Sequence, residues 1–78
     1  MKHPRIEINA EVMVGKPVIR GTRIPVELIL RKLGAKNPAQ EILRDYPRLT
    51  EEDITAAVAY AADALSTEEV VEFSGVAK

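Results

Sequence analysis

Side chains that suit phosphate oxygens are concentrated in one short segment of the chain, residues 15–26. Lys16, Arg20 and Arg23 supply positive charge there, and Thr22 supplies a hydroxyl group. These four residues form the predicted nucleic-acid-binding surface. The alternative interpretation is a β-ribbon whose cationic side chains are solvated and bind nothing.

Enzyme chemistry has little support in the same sequence. A nucleophile needs a neighbouring base, and the only histidine, His3, lies at the chain terminus, where we expect it to have no special role. The acidic run at residues 51–53 is a poor metal site, because consecutive helical residues point in different directions. Gly15 and Lys16 lack the spacing of a nucleotide-binding loop, and Pro17 removes an amide donor. We expect no catalytic site, no metal and no cofactor.

Charge is distributed unevenly along the chain. Residues 1–48 contain ten of the eleven lysines and arginines against five acids, a net charge of +5, whereas residues 49–78 have a net charge of −6. The basic segment, residues 1–48, suits a polyanionic partner. Ordinary solvation of a small surface by mixed charges is the alternative.

The elements that must position these groups are predicted to be mainly helical and preceded by short N-terminal β-strands. Alternating polar and apolar residues predict a strand over residues 5–8, and residues 18–25 contain two further β-prone pieces. Apolar residues at helical spacing predict three helices. Their ranges are 26–33, 37–45 and 50–65. The short connection between the last two helices permits a helix-turn-helix geometry.

Particular residues are expected to set the ends of these helices. Gly34 would supply a left-handed stop for the first helix. Asn37 would cap the second, with Gln40 reaching back to the cap nitrogen. Thr50 would cap the third, with Leu49 packing onto its first apolar residue. The inner face of the third helix is expected to consist of Ile54, Ala57, Val58, Ala61 and Leu65.

The size of the chain favours self-association. It has 78 residues, three aromatic side chains and no cysteine, so disulfides cannot stabilise it. A core of this size contributes only about 3–5 kcal/mol. We therefore expect a homodimer, paired through the N-terminal strand near Ile6 and Ile8.

Residues 66–78 form an acidic tail that differs from the predicted domain at residues 1–65. The tail contains a small apolar patch composed of Val70, Val71 and Phe73. Because it lacks a periodic apolar face, we expect it to dock loosely until a partner protein binds this patch.

The sequence also bears on location. It has no run of about 20 apolar residues, as a membrane span would need. Its first residues lack the apolar stretch of a secretory signal. We expect a cytoplasmic protein that does not contact membranes.

The run Gly-Lys-Pro-Val-Ile-Arg-Gly-Thr-Arg-Ile-Pro-Val at residues 15–26 is distinctive. Together with residues 28–34 and 41–50, it closely resembles a family of small bacterial and archaeal proteins. That family was long catalogued as a domain of unknown function and is now described as VapB-type antitoxin-like. The resemblance implies a three-helix, homeodomain-like helix-turn-helix, acting as antidote and autorepressor beside a PIN-like ribonuclease toxin.

Two hypotheses from different classes remain. The first is an antitoxin that neutralises a PIN-like toxin and binds its own promoter DNA through the basic β segment at residues 15–26 and the first or second helix. The second is a protein–protein interaction module with a helix-turn-helix shape that does not bind DNA. The third helix offers few groups that read base edges. Its outward residues are expected to be Glu51, Glu52, Thr55, Ala56, Ala59, Tyr60 and Asp63.

Overall fold

The computed structural model describes residues 2–66. In this range two short strands, β1 (Ile6–Glu7) and β2 (Val18–Ile19), pair antiparallel, with Ile6 opposite Ile19. A 3₁₀ turn, Met13–Gly15, lies between them. The helices that follow are α1 (Val26–Gly34), α2 (Ala39–Asp45) and α3 (Glu51–Ser66). The predicted small, mainly helical fold with short N-terminal strands is confirmed.

The hydrophobic core lies where the strand pair meets the three helices. α1 packs against both α2 and α3, and α3 also packs against β1. Both strands, all three helices and the α2–α3 connection contribute aliphatic side chains to this core. Its buried members are Ile6, Val18, Ile19, Val26, Ile29, Ile42, Leu49, Ile54 and Ala57.

The end of α1 differs from the sequence prediction. Gly34 is the last helical residue, and Lys36 adopts the left-handed conformation, with φ of 71°. The N–H of Asn37 donates to Lys32 O, and the N–H of Lys36 donates to Leu33 O. These two bonds form a Schellman closure. The prediction of Gly34 as the left-handed residue is therefore wrong by two positions.

The beginning of α2 also differs from the prediction. Pro38 precedes its first turn, and no side chain caps it. The N–H of Asn37, the predicted partner of Gln40, donates to Lys32 O instead, and the predicted Asn37 cap is wrong. The main-chain oxygen of Pro38 instead accepts hydrogen bonds from Glu41 and Ile42.

The predicted cap of α3 is confirmed. The N–H of Asp53 donates to Thr50 Oγ1 at 3.2 Å, and the N–H of Thr50 donates to Asp53 Oδ2 at 3.0 Å. This is a reciprocal capping box in which Asp replaces the usual Glu or Gln. Leu49 and Ile54 are both buried beside it, as expected.

The buried face of α3 is rotated relative to the prediction. Ile54 and Ala57 are buried as expected, but Val58 and Leu65 are 44% and 70% exposed. Tyr60, expected to face outward, packs against the core instead. The reason is that the N-terminal residues lie along α3 and cover the side on which Tyr60 lies.

The predicted partner-binding patch, Val70, Val71 and Phe73, lies outside the described residues. The predicted boundary between the domain at residues 1–65 and the tail stays a prediction, because residues 67–78 also lie outside the described residues. Within residues 2–66, no helix combines the length and apolarity that crossing a bilayer requires.

Candidate nucleic-acid interface

Residues 19–24 form a tight turn whose shape depends on Thr22. Its Oγ1 donates to Ile19 O at 2.7 Å and accepts from the N–H of Ile24 at 3.0 Å. Gly21 has a φ of 83°, which side-chain-bearing residues rarely adopt. A hydroxyl has one proton to donate. Thr22 was predicted to contact phosphate, but its proton is already used to hold the turn.

Arg20 lies at the start of this turn and is tied to the N-terminal strand region. Its Nε donates to Pro4 O at 2.7 Å, and its Nη2 lies 3.4 Å from Ile6 O. Both acceptors are neutral main-chain oxygens, and the side chain is exposed. Arg20 therefore keeps its full positive charge while its position is fixed.

Arg48 joins the same turn from the α2–α3 connection. Its Nη2 donates to Gly21 O at 2.9 Å. Arg23 is exposed and has no ion-pair partner among residues 2–66. Arg23 and Arg48 line a shallow depression of 360 Å³, with Glu7 as the one acidic side chain in its lining. Arg20, Arg23 and Arg48 are called the arginine cluster below.

Lys16 does not belong to the arginine cluster. Its Nζ lies 3.3 Å from Glu27 Oε1, and Arg31 donates to the other oxygen of the same carboxylate at 3.1 Å. The hydrogen bond from Arg31, followed by that from Lys16, holds the pKa of Glu27 below its ordinary value. Lys16 thus shares one carboxylate with Arg31 at the first turn of α1, which offsets part of its positive charge.

The N-terminal arm, residues 2–5, uses its cations differently. Arg5 Nη1 lies 3.0 Å from Asp53 Oδ1, and His3 Nε2 lies 2.8 Å from Asp63 Oδ2. The His3 ring also packs edge-on against Tyr60, with centroids 5.5 Å apart. The hydrogen bond from His3, followed by the charge of Lys2, lowers the pKa of Asp63. The expectation that His3 is an ordinary terminal residue is therefore wrong.

The His3–Asp63 pair has no nucleophile positioned for catalysis in the described part of the chain. The nearby Ser66 hydroxyl donates to the main-chain oxygen of Asp63 rather than to the imidazole. Among residues 2–66, no three His, Cys, Asp or Glu side chains approach closely enough to hold a metal ion. The pair fastens the arm to α3.

A protein-family model described as "Protein of unknown function (DUF433)" matches residues 6–61, which include all of the arginine cluster. The chain belongs to the DUF433 family. The crystal structure of a DUF433 member protein from Anabaena variabilis has a TM-score of 0.75 and 37% identity to it. That match covers 80% of this chain and 61% of the Anabaena chain. An uncharacterized protein from Archaeoglobus fulgidus is 59% identical over 27 residues, 35% of this chain and 75% of that protein.

Sequence reasoning missed one member of the DUF433 protein's arginine cluster. Arg48 follows α2, and it reaches Gly21 across 27 positions of sequence. No local pattern marks such a contact, because it depends on how α2 packs against the rest of the core. The sequence showed only that Arg48 is one of the cations of the basic segment.

Proposed function

We propose that this DUF433 protein is the antitoxin of a toxin–antitoxin pair, which neutralises a PIN-like ribonuclease toxin and binds its own promoter DNA. The arginine cluster is the observation that carries the DNA-binding part. Arg23 and Arg48 line one depression with Gly21, Arg20 precedes Gly21 in the chain, and none of the three pairs with a carboxylate within residues 2–66. Guanidinium groups match phosphate oxygens in charge and in fork geometry.

Contacts with phosphates would raise the affinity of the protein for DNA without selecting a DNA sequence. Each phosphate that a cation neutralises releases counterions, and the slope of log K against log salt steepens by about 0.9. The cluster is held on a fixed turn, so little side-chain entropy is lost when Arg20 or Arg48 meets a phosphate. Glu7 opposes binding at the depression that Arg23 and Arg48 line, but one carboxylate does not offset two guanidinium groups.

We propose further that α1, α2 and α3 form a homeodomain-like helix-turn-helix in which α3 does not enter the major groove. The connection at residues 46–50 joins α2 to α3, and both helices pack against α1. α3 contains no Lys, Arg, Asn or Gln, and it exposes Glu51 and Glu52 at its first turn. Placing that turn near phosphates would cost affinity.

The toxin-neutralising part of the proposal depends on the resemblance of residues 15–26 to VapB-type antitoxin-like proteins. Val70, Val71 and Phe73 remain the proposed toxin contact, and a cytoplasmic location follows from promoter binding. A second candidate function is a protein-binding module that does not contact DNA. It is favoured by Ile8 and Val14, whose apolar side chains are 59% and 93% exposed.

An electrophoretic mobility shift on the DNA upstream of the gene tests the proposal. The protein is tested alone and with the neighbouring gene product, as wild type and as Arg23→Gln. Arg44→Gln is the matched control, because it removes the same charge from an arginine that lies 3.9 Å from Glu41. We expect a shift that only Arg23→Gln weakens. Absence of any shift, while the neighbouring gene product still co-purifies, would support the protein-binding module instead.

A further inference from the structure

α3 has a second apolar face that the core does not cover. The exposed residues Thr55, Val58, Ala62 and Leu65 recur at intervals of three, four and three positions. This spacing is the one that lines the seam between two packed helices. Exposed Ala59 lies beside the seam and leaves room for close approach of another helix. The helix therefore presents a continuous, uncharged contact strip to the outside.

Charged side chains flank this strip rather than lie on it. Lys2 and Arg5 of the N-terminal arm line one depression with Glu51, Glu52, Thr55 and Ala59. At the N-terminal end, Glu51 and Glu52 are exposed and have no ion-pair partner among residues 2–66. At the C-terminal end lies Lys2, whose side chain is 80% exposed and only loosely paired with Asp63, at 3.7 Å. The strip thus has unpaired acids at one end and a loosely paired cation at the other.

We propose that this strip is the contact between two copies of the chain, with the two α3 helices antiparallel. A two-fold axis that crosses the exposed strip at the level of residue 60 places Thr55 opposite Leu65 of the second copy, and Val58 opposite Ala62 of the second copy. The same arrangement brings the Glu51–Glu52 end of each chain towards the Lys2 end of the other. A parallel arrangement would place like charges together, which opposes association.

The strip fits a second copy better than it fits the other partners considered. Nucleic acid is disfavoured, because α3 has no basic residue and its exposed acids would repel phosphates. The contact expected from the sequence, through the N-terminal strand, has less exposed apolar surface. Ile6 is only 4% exposed and packs in its own chain's core, which leaves Ile8 alone of the two. The proposal does not depend on the arginine cluster or on the toxin.

Sedimentation equilibrium of the full chain tests the contact. We expect wild type to form dimers at micromolar concentration and Ala62→Glu to raise the dimer dissociation constant by about tenfold or more, because two buried carboxylates would face the strip. Gln40→Glu adds the same charge at an exposed position of α2 and should remain dimeric. Circular dichroism checks that both variants keep their helices. A monomeric wild type, or a dimer that Ala62→Glu leaves intact, would overturn the proposal.

Disulfide cross-linking tests the antiparallel orientation, since the chain has no cysteine of its own. A disulfide needs Cα atoms within about 7 Å. In the antiparallel dimer, residues 55 of the two copies lie about 15 Å apart along the axis, as ten residues of helix span. We therefore expect Thr55→Cys and Leu65→Cys to cross-link when mixed but not alone. Cross-linking of each variant with itself would contradict the antiparallel arrangement.

Discussion

The N-terminal arm and the arginine cluster both draw their cations from the basic segment, but the cations meet different groups. Those of the arm, Arg5 and Lys2, lie 3.0 and 3.7 Å from carboxylates of α3. Those of the cluster meet main-chain carbonyl oxygens or solvent. A carboxylate cancels the charge of its partner, whereas a carbonyl oxygen orients a cation and leaves its charge intact. The arm therefore stabilises the fold, and the cluster remains available to a polyanion.

The largest expected effect comes from removing Asp53, the buried carboxylate that anchors the arm. Asp53→Ala deletes the capping bond to Thr50 and the ion pair with Arg5. We expect the free energy of unfolding to fall by about 2–3 kcal/mol, measured by urea denaturation. Asp45→Ala removes an exposed acid from the end of α2 and should change it by less than about 0.5 kcal/mol. Equal effects of the two variants would contradict a special role for the arm.

The next largest effect is expected on the affinity for DNA rather than on the free energy of unfolding. Arg23→Gln removes an exposed cation with no partner within residues 2–66, so the free energy of unfolding should change by less than about 0.5 kcal/mol. Fluorescence anisotropy with promoter DNA should show about fivefold weaker binding, because one phosphate contact is lost. Arg44→Gln should bind like wild type. If Arg23→Gln lowers the free energy of unfolding but leaves the affinity for DNA unchanged, Arg23 stabilises the fold, as the arm does, and does not contact DNA.

A smaller effect, opposite in sign, is expected at Lys16. Glu27→Gln removes the carboxylate that Lys16 and Arg31 share. Because these cations are then free, DNA should bind about twofold more tightly in the same anisotropy assay. Lys16→Ala in the wild-type background should have little effect on binding. A clear loss of affinity in Lys16→Ala would show that neutralised cations also contribute to binding.

The smallest expected effect is a pH dependence at the other end of the arm. Because the pKa of Asp63 is lowered in the folded protein, its ion pairs stabilise the fold above the ordinary aspartate pKa. That contribution is lost as the pH falls through the lowered value. Thermal unfolding should therefore show Asp63→Asn below wild type at neutral pH, with the two curves converging in acid. A difference that persists at the lowest pH would indicate a role other than charge pairing.

The elements could be predicted from the sequence where local chemistry sets them. The three helices and the Thr50 cap follow from periodicity and from a side chain acting three residues away. The Schellman closure at Lys36 was not predicted, because residue type alone favours Gly34 for the left-handed position. The sequence grouped Lys16 with Arg20 and Arg23 and left out Arg48 for a different reason. The partners of Lys16 and Arg48, Glu27 and Gly21, are brought near by packing, which no local pattern encodes.

The salt dependence of DNA binding tests most directly whether the arginine cluster contacts phosphates. For Arg23→Gln/Arg48→Gln, the slope of log K against log salt should become shallower by about 1.8, which corresponds to two lost contacts. Arg31→Gln/Arg44→Gln removes the same charge from two arginines that pair with carboxylates, and its slope should remain close to that of wild type. Equal slopes for wild type and both double variants, or equal changes in the two variants, would contradict the account.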